Sequence, residues 1–297
     1  MGNKFLESML RAAVKGGGIG ETAPLAGFVD IEGVRRTIES LRSAFPPHFQ
    51  HMFAAKANSM SPVLSLVREA GMGCEVASPG ELEQALRCGF KPDQVVFDEP
   101  AKTLPVLKKV LKTGVALNID NFQEFDRVSA LLKETPSPSR IGFRINPQVG
   151  SGAIGAMSTA TSSSKFGVAL EDEGNRKALL DRYLQHDWLT TLHTHVGSQG
   201  CSLQLLTAGV RKVTDLAKQI NEAAGHAQVR VIDIGGGLPV NFESEEVTPT
   251  FADYADELRK AVPELFDGEF VVKTEFGRSI LAKNGCIVSR VEYTKRS

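Results

Sequence analysis

Lys56 ends an apolar run, His51 to Ala55, and helix-compatible sequence resumes from Ser61. A barrel strand presents a residue at its carboxyl-terminal mouth in this way. Among apolar neighbours, desolvation is expected to lower the lysine pKa toward a usable amine. Such an amine forms a Schiff base with a carbonyl compound. From this segment alone, a solvated lysine at a strand end is the plainer reading.

Further along lie other residues with chemistry. Gly235-Gly236-Gly237 follows an apolar run, and three glycines let backbone amides turn inward on an anion. A tight turn needing glycine for shape is the other reading. His193 and His195 stand two apart, on one side of a strand. With a carboxylate they would make a metal site. Alternatively, one packs beneath the mouth with its nitrogens satisfied by backbone. The other, followed by Val196-Gly197-Ser198, then lies flat on a planar ligand while Ser198 donates to a phosphate. Glu275 can hold a proton on a ring nitrogen, and Arg278 can clamp a carboxylate or phosphate. A salt bridge between the two is the plainer alternative.

The elements that must position these residues are legible as repeats. Apolar runs occur at 51–55, 73–77, 94–98, 115–119, 140–145, 189–196, 229–234 and 270–275. Helical segments lie between them, among others at 62–70, 80–88, 103–111, 122–133, 203–223 and 251–262. The runs are continuous, as strands buried on both faces should be, and eight is the number that closes an α/β barrel. A doubly wound open sheet is the structural alternative. The residues singled out all fall at carboxyl ends of runs: Lys56, then Glu75 and Ser78, Arg144 to Pro147, His193 to Ser198, Asp233 to Gly237, and Glu275 to Arg278. Residues 1–23 read as a mobile lead-in and 24–297 as the barrel. Pro24 to Asp30 reads as a strand, and Ile31 to Phe45 as an amphipathic helix ended by Pro46-Pro47. The polar stretch Gln148–Lys165 is expected to form a mobile loop over the mouth.

Composition narrows the function. A net charge of −1 over 297 residues argues against nucleic acid or an anionic membrane as partner. Four cysteines, Cys74, Cys88, Cys201 and Cys286, form no CxxC pair and fit a reducing compartment. No apolar run reaches membrane-spanning length, and the amino terminus carries neither a signal core nor the Ser/Thr of a myristoylation signal. A cytoplasmic enzyme or binding protein is the expectation.

Taken together, the motifs resemble the fold-type III pyridoxal-phosphate decarboxylases, the diaminopimelate and ornithine decarboxylase group. They are Phe-Ala-Ala-Lys-Ala-Asn (53–58), Cys-Glu-Val-Ala-Ser-Pro-Gly-Glu-Leu (74–82), Arg-Ile-Asn-Pro (144–147), Ser-Lys-Phe-Gly (164–167), His-Val-Gly-Ser-Gln (195–199), Asp-Ile-Gly-Gly-Gly (233–237) and Glu-Phe-Gly-Arg (275–278). With the Val-Glu-Tyr-Thr-Lys tail (291–295), diaminopimelate decarboxylases are the most similar of the group. The resemblance implies a (β/α)8 barrel of the alanine racemase amino-terminal type. It also implies pyridoxal 5'-phosphate on Lys56, His195 stacked on its ring, and Glu275 at the ring nitrogen. Ser198, Gly235, Gly236 and Gly237 would hold phosphate, with Arg278 on phosphate or substrate. Glu75, Arg144 and Gly277 would complete the cofactor shell, without a metal. The implied reaction is decarboxylation of a basic amino acid, as in lysine biosynthesis, by a homodimer in the full-length form. A carboxylate at the ring nitrogen favours decarboxylation over racemisation.

Phe276 stands where the family usually has proline. The family also continues into a carboxyl-terminal β-domain, expected to be absent here, so Pro24–Asp30 is expected to lack strand partners. Weakly active or non-catalytic pyridoxal-phosphate binding, as a carrier or regulator, is the alternative function. A metal-dependent barrel hydrolase is a third reading, resting on the histidine pair alone.

Overall fold

In the computed structural model, which describes residues 4–296, the apolar runs become strands and the segments between them helices. The chain starts with α1 (Lys4–Lys15), β1 (Leu25–Val29), α2 (Ile31–Ala44), β2 (Phe49–Ala54), α3 (Ser61–Glu69) and β3 (Gly73–Val76). It continues through α4 (Pro79–Arg87), β4 (Val95–Phe97), α5 (Leu104–Thr113), β5 (Ala116–Ile119), α6 (Phe122–Glu134) and β6 (Ile141–Asn146). Then come β7 (Val168–Ala169), α7 (Asn175–Gln185), β8 (Leu189–Thr194), α8 (Leu203–Ala224) and β9 (Val231–Asp233). The last are α9 (Phe251–Ala261), β10 (Val271–Phe276), α10 (Arg278–Leu281) and β11 (Gly285–Ser289).

The sheet runs β5-β4-β3-β2-β10-β9-β8-β6, all parallel, and a β5–β6 pairing closes it into a barrel. The open-sheet alternative is therefore excluded. Each predicted run falls on one barrel strand, within a few residues at its ends. Helices bury one face against the outside of the sheet, as α2 does through Val34, Ile38 and Leu41. Side-chain caps start several of them: Ser78 accepts from the Glu81 amide, Asn121 from Glu124 and Ser202 from Leu205. Ser78, singled out for chemistry by its place, is thus a helix cap.

Two sequence expectations change, those for Pro24–Asp30 and for Gln148–Lys165. The first three residues of the lead-in lie outside the described residues, but Lys4–Lys15 is a helix. Pro24–Asp30 does not lack partners: β1 pairs antiparallel with β11 along Leu25–Val29. Helix α7 was not legible, because its polar sequence buries only Leu179 and Tyr183. The stretch 148–165 is docked. Thr159 N donates to Val196 O at 2.9 Å, Ser198 N to Met157 O at 2.9 Å and Ala153 N to Gly200 O at 2.9 Å.

The barrel wall is drawn in tightly between β6 and β8. Their register slips at Ile141/Gly142, a bulge in the ladder. A Cβ built on Gly142 would stand 1.8 Å from Thr191 O. Tyr183 completes the junction, its hydroxyl accepting from Phe143 N at 3.1 Å and donating to Thr191 O. Gly142→Ala should therefore cost about 3 kcal/mol of unfolding free energy. Tyr183→Phe, which strands two buried backbone groups, should cost about 1–2 kcal/mol. Denaturant unfolding of both variants checks the order; an alanine tolerated at residue 142 would show the junction to be loose.

Candidate active site

Because side chains alternate along a strand, the register decides which residues share the barrel interior. Lys273 is paired with Asp233, Asp233 with His193 and His193 with Arg144, one row across β10, β9, β8 and β6. Two residues nearer the mouth, Glu275 follows Lys273 on the same face. Across the barrel Glu75 lies beside Ala54 in register, and Asp98 follows β4. All of these except Ala54 are charged or titratable and buried, an unusual filling for a barrel.

Above them opens a cavity of about 520 Å³, bounded by Lys56, His195, Ser198, Gly237, Glu275, Gly277 and Arg278 among others. Seven of the residues singled out from sequence thus meet in one place, from β2, β8, β9 and β10. Glu75, Arg144, Gly235 and Gly236 do not line it. Glu75 stands behind Lys56, its Oε2 2.9 Å from Nζ. Arg144 is bound to Asp98, Nη1 to Oδ2 at 2.6 Å, with Phe166 against its guanidinium at 4.8 Å from the ring centroid. The amide of Gly235 donates to Asp233 Oδ1 at 3.0 Å and that of Gly236 to His195 Nδ1 at 3.2 Å. These two glycines serve the turn: Gly235 has φ 66°, and a Cβ on Gly236 would meet Glu275 O at 2.1 Å. The turn reading therefore holds for Gly235 and Gly236, while Gly237 lines the cavity.

Arg278 does not pair with Glu275. Its Nε and Nη2 both reach Ser198 Oγ at 3.4 Å, leaving the guanidinium at the cavity rim. The histidine pair separates by depth. His195 lines the cavity, while His193 is wholly buried below it. Its nitrogens meet carboxylates, not backbone: Nε2 is 3.5 Å from Asp98 Oδ2, and Nδ1 is 3.5 Å from Asp233 Oδ1 and 3.8 Å from Glu275 Oε1. Asp98, His193 and Glu275 each bring one ligand atom within 4.8 Å of the others. Arg144 already holds the Asp98 oxygen, and among the described residues His195 is not part of such a group.

Burial and charge set the protonation states. For Lys56, burial of the amine pulls downward, but Glu75, Glu275 and Asp98 together outweigh it. The amine is held above its ordinary value, the reverse of the shift expected from its apolar neighbours. Burial pushes Glu75 up, and Lys56 opposes. Glu275 is pushed well above the usual carboxylate range, by burial first and then by Asp233, Glu75 and Asp98. Burial also opposes charge on Asp98, yet Arg144 and His193 hold it below. His195 is held well below its ordinary value by burial and by the Lys56 charge. Its imidazole is neutral, with Nδ1 as acceptor.

The family model described as "Pyridoxal-dependent decarboxylase, pyridoxal binding domain" matches residues 31–282. The chain belongs to this family. Diaminopimelate decarboxylase of Helicobacter pylori strain J99 is 30% identical over 270 residues, covering 90% of this chain and 65% of that protein. The enzyme of the same name from Pseudomonas aeruginosa is 31% identical over 246 residues, covering 82% and 58%. The crystal structure of the H. pylori enzyme complexed with L-lysine superposes with a TM-score of 0.77 at 29% identity, covering 88% of this chain and 65% of that one. The lysine/ornithine decarboxylase of Vibrio vulnificus, complexed with putrescine, shares the fold at TM-score 0.74 and 21% identity, covering 94% and 68%. The chain thus spans about 65% of the H. pylori relative and 58% of the P. aeruginosa one.

Asp98 was not singled out from sequence, and Asp233 and His193 were singled out without the contacts that join them here. The available signal for Asp98 was position: it closes an apolar run, just as Lys56 follows one.

Glu275 gives a pH-dependent test. Its carboxyl pKa is higher in the fold than unfolded, so the folded chain binds the extra proton between the two values. Stability contributed by this group is present below about pH 4 and falls as pH climbs above it. Glu275→Gln in the cofactor-free chain should therefore be stabilising by about 1–2 kcal/mol near neutral pH. The gain should vanish toward about pH 4. Melting temperatures across pH check this; a Gln variant less stable at neutral pH would contradict it.

Proposed function

We propose that this chain holds pyridoxal 5'-phosphate on Lys56 and acts in the decarboxylation of a basic amino acid of the diaminopimelate kind. The observation that carries the reading is one cavity holding an amine, Lys56, and a buried carboxyl, Glu275, with the cation Arg278 at its rim. The residues present fit the group. A buried carboxyl oxygen, Glu275 Oε1, has no hydrogen-bond partner. Gly237, at φ 98°, admits no Cβ, which would stand 2.1 Å from Gly197 O. The substrate class is supported by the relatives, named diaminopimelate decarboxylases, and by a neighbour structure complexed with L-lysine.

When bound, the pyridoxal group supplies an electron sink for the electrons left behind by departing carbon dioxide. The chain's own residues supply the rest. Lys56 is protonated at rest and must lose a proton before its amine can attack a carbonyl. Glu75 Oε2, at 2.9 Å, is the acceptor in place, and its raised affinity suits it to take that proton. His195, neutral, offers a flat face and keeps Nδ1 tied to Gly236. Ser198 and Arg278 present donors to an anionic group beside Gly237. Glu275 holds a proton at Oε1 or Oε2 where a ring nitrogen can share it.

The test is chemical. Chain incubated with pyridoxal phosphate and reduced with borohydride should carry one pyridoxyl mass on the peptide containing Lys56, and Lys56→Ala should carry none. Carbon dioxide release from diaminopimelate, lysine and ornithine then separates the substrates. With Lys56→Ala, release should fall by about a thousandfold or more. A reducible adduct that survives in Lys56→Ala refutes the assignment. An adduct on Lys56 with no carbon dioxide from any substrate would instead fit the carrier reading.

A further inference from the structure

Phe276 stands between two residues of the site, Glu275 and the Gly277-Arg278 pair, and has no part in the mechanism above. Alternation along β10 turns Glu275 into the barrel and Phe276 outward. There its ring is buried against α9, with its centroid 5.1 Å from that of Phe251 and, edge-on, 6.1 Å from that of Tyr254. This socket is firm on its far side. The first turn of α9 is fixed by a reciprocal cap: Thr250 Oγ1 accepts from the Asp253 amide at 3.1 Å, and Asp253 Oδ2 accepts from the Thr250 amide at 2.8 Å. Tyr254 is also braced by Phe45, just past α2, at 6.4 Å between ring centroids.

What Phe276 holds depends on where the sheet ladder stops. Glu275 is secured by backbone, since its amide donates to Gly235 O at 2.7 Å, and the pairing with β2 runs on to Phe276 opposite Phe53. Past that pair, among the described residues, no backbone hydrogen bond joins Gly277 or Arg278 to a neighbouring strand. The other end of this segment is tied to α2, where Asn284 Nδ2 donates to Thr37 Oγ1 at 2.8 Å. Gly277 is pressed on β2's end so closely that a Cβ would stand 2.8 Å from Ala57 Cβ, a contact that blocks inward movement and does not resist outward movement. Both contacts of Arg278 with Ser198 Oγ are long, at 3.4 Å. We propose that Phe276 is a positioning residue: by its grip on α9 it sets where Arg278 stands at the cavity rim, and so the hold on the anionic end of the occupant. This rests on the reading of Ser198 and Arg278 as the anion end given above.

The test compares binding of pyridoxal phosphate with 5'-deoxypyridoxal, which keeps the ring and aldehyde and lacks the phosphate. Wild-type chain should prefer the phosphate compound. In Phe276→Ala that preference should fall about tenfold, the scale of one weakened charge-assisted hydrogen bond. Affinity for 5'-deoxypyridoxal should stay within about twofold, because the ladder still holds Glu275. Phe276→Leu and Phe251→Leu loosen the same contact from its two sides with a smaller loss of packing, and each should lower the preference by about threefold. Tyr183→Phe, destabilising but outside the cavity, should leave the preference unchanged. Equal losses for both compounds, an unchanged preference in the Phe276 variants, or a fall in Tyr183→Phe as large as theirs would each overturn the inference. If wild type itself binds both compounds equally, the reading of the rim as the anion end fails, and the role of Phe276 with it. If wild type keeps a preference that the Phe276 variants share, Phe276 alone loses its role.

Discussion

The structure depends on how four carboxylates, Glu75, Asp98, Asp233 and Glu275, are accommodated inside one barrel. Each would lose far more by leaving water than an exposed acid does. The fold answers each differently. Asp98 has a full ion pair in Arg144, and its charge is secure. Asp233 shares a row with Lys273 and takes the Gly235 amide. Glu75 has Lys56, which is half exposed and lines the cavity while Glu75 stays buried behind it. Glu275 has no adequate partner and takes up a proton instead. Chemistry is left to the groups that the interior satisfies least.

That arrangement requires a barrel whose wall can be drawn in closely. Gly142 on β6 brings the backbone against Thr191 of β8, at the bulge that Tyr183 secures. Gly236 does the same against Glu275 O, and Gly277 against Ala57. The tight approach at Gly236 fixes the Glu275 backbone relative to His195, because the Gly236 amide donates to His195 Nδ1. Imidazole and floor carboxyl are thereby tied through one residue, so movement of β9 against β10 is resisted beside the cavity. The docked stretch 148–165 contributes from outside, hydrogen-bonded along Val196–Gly200 without lining the cavity.

Much of this was legible in the sequence, and what was not has a physical reason. The eight barrel strands were visible because burial on both faces makes them continuous apolar runs. Lys56, His195, Ser198, Gly237, Glu275 and Arg278 were visible because each lies at or just past the carboxyl end of such a run. Helix α7 was not, since its solvated face leaves only Leu179 and Tyr183 to mark an inner one. The direction of the Lys56 shift was misread for a related reason. Its apolar neighbours are adjacent in sequence, whereas Glu75, Asp98 and Glu275 reach it from three other strands. Pairing of β1 with β11 joins segments about 260 residues apart, and neither carries a pattern that announces the other. Asp98 was visible as a letter and invisible as a partner, because only the register shows that Arg144 and His193 converge on it.

The cavity that results is polar in one sense only. Its floor holds the neutralised acid Glu275, its wall the neutral imidazole of His195, and its rim the guanidinium of Arg278 beside Ser198. A ligand with an anion at one end and a weakly basic ring at the other has one orientation that satisfies both ends. Reversing it would set the anion on a floor backed by Asp98, Asp233 and Glu75, and the ring against Arg278. Repulsion among buried acids, which costs the empty fold stability, thus becomes the device that orients what enters, since a proton-accepting ring is the occupant that relieves it.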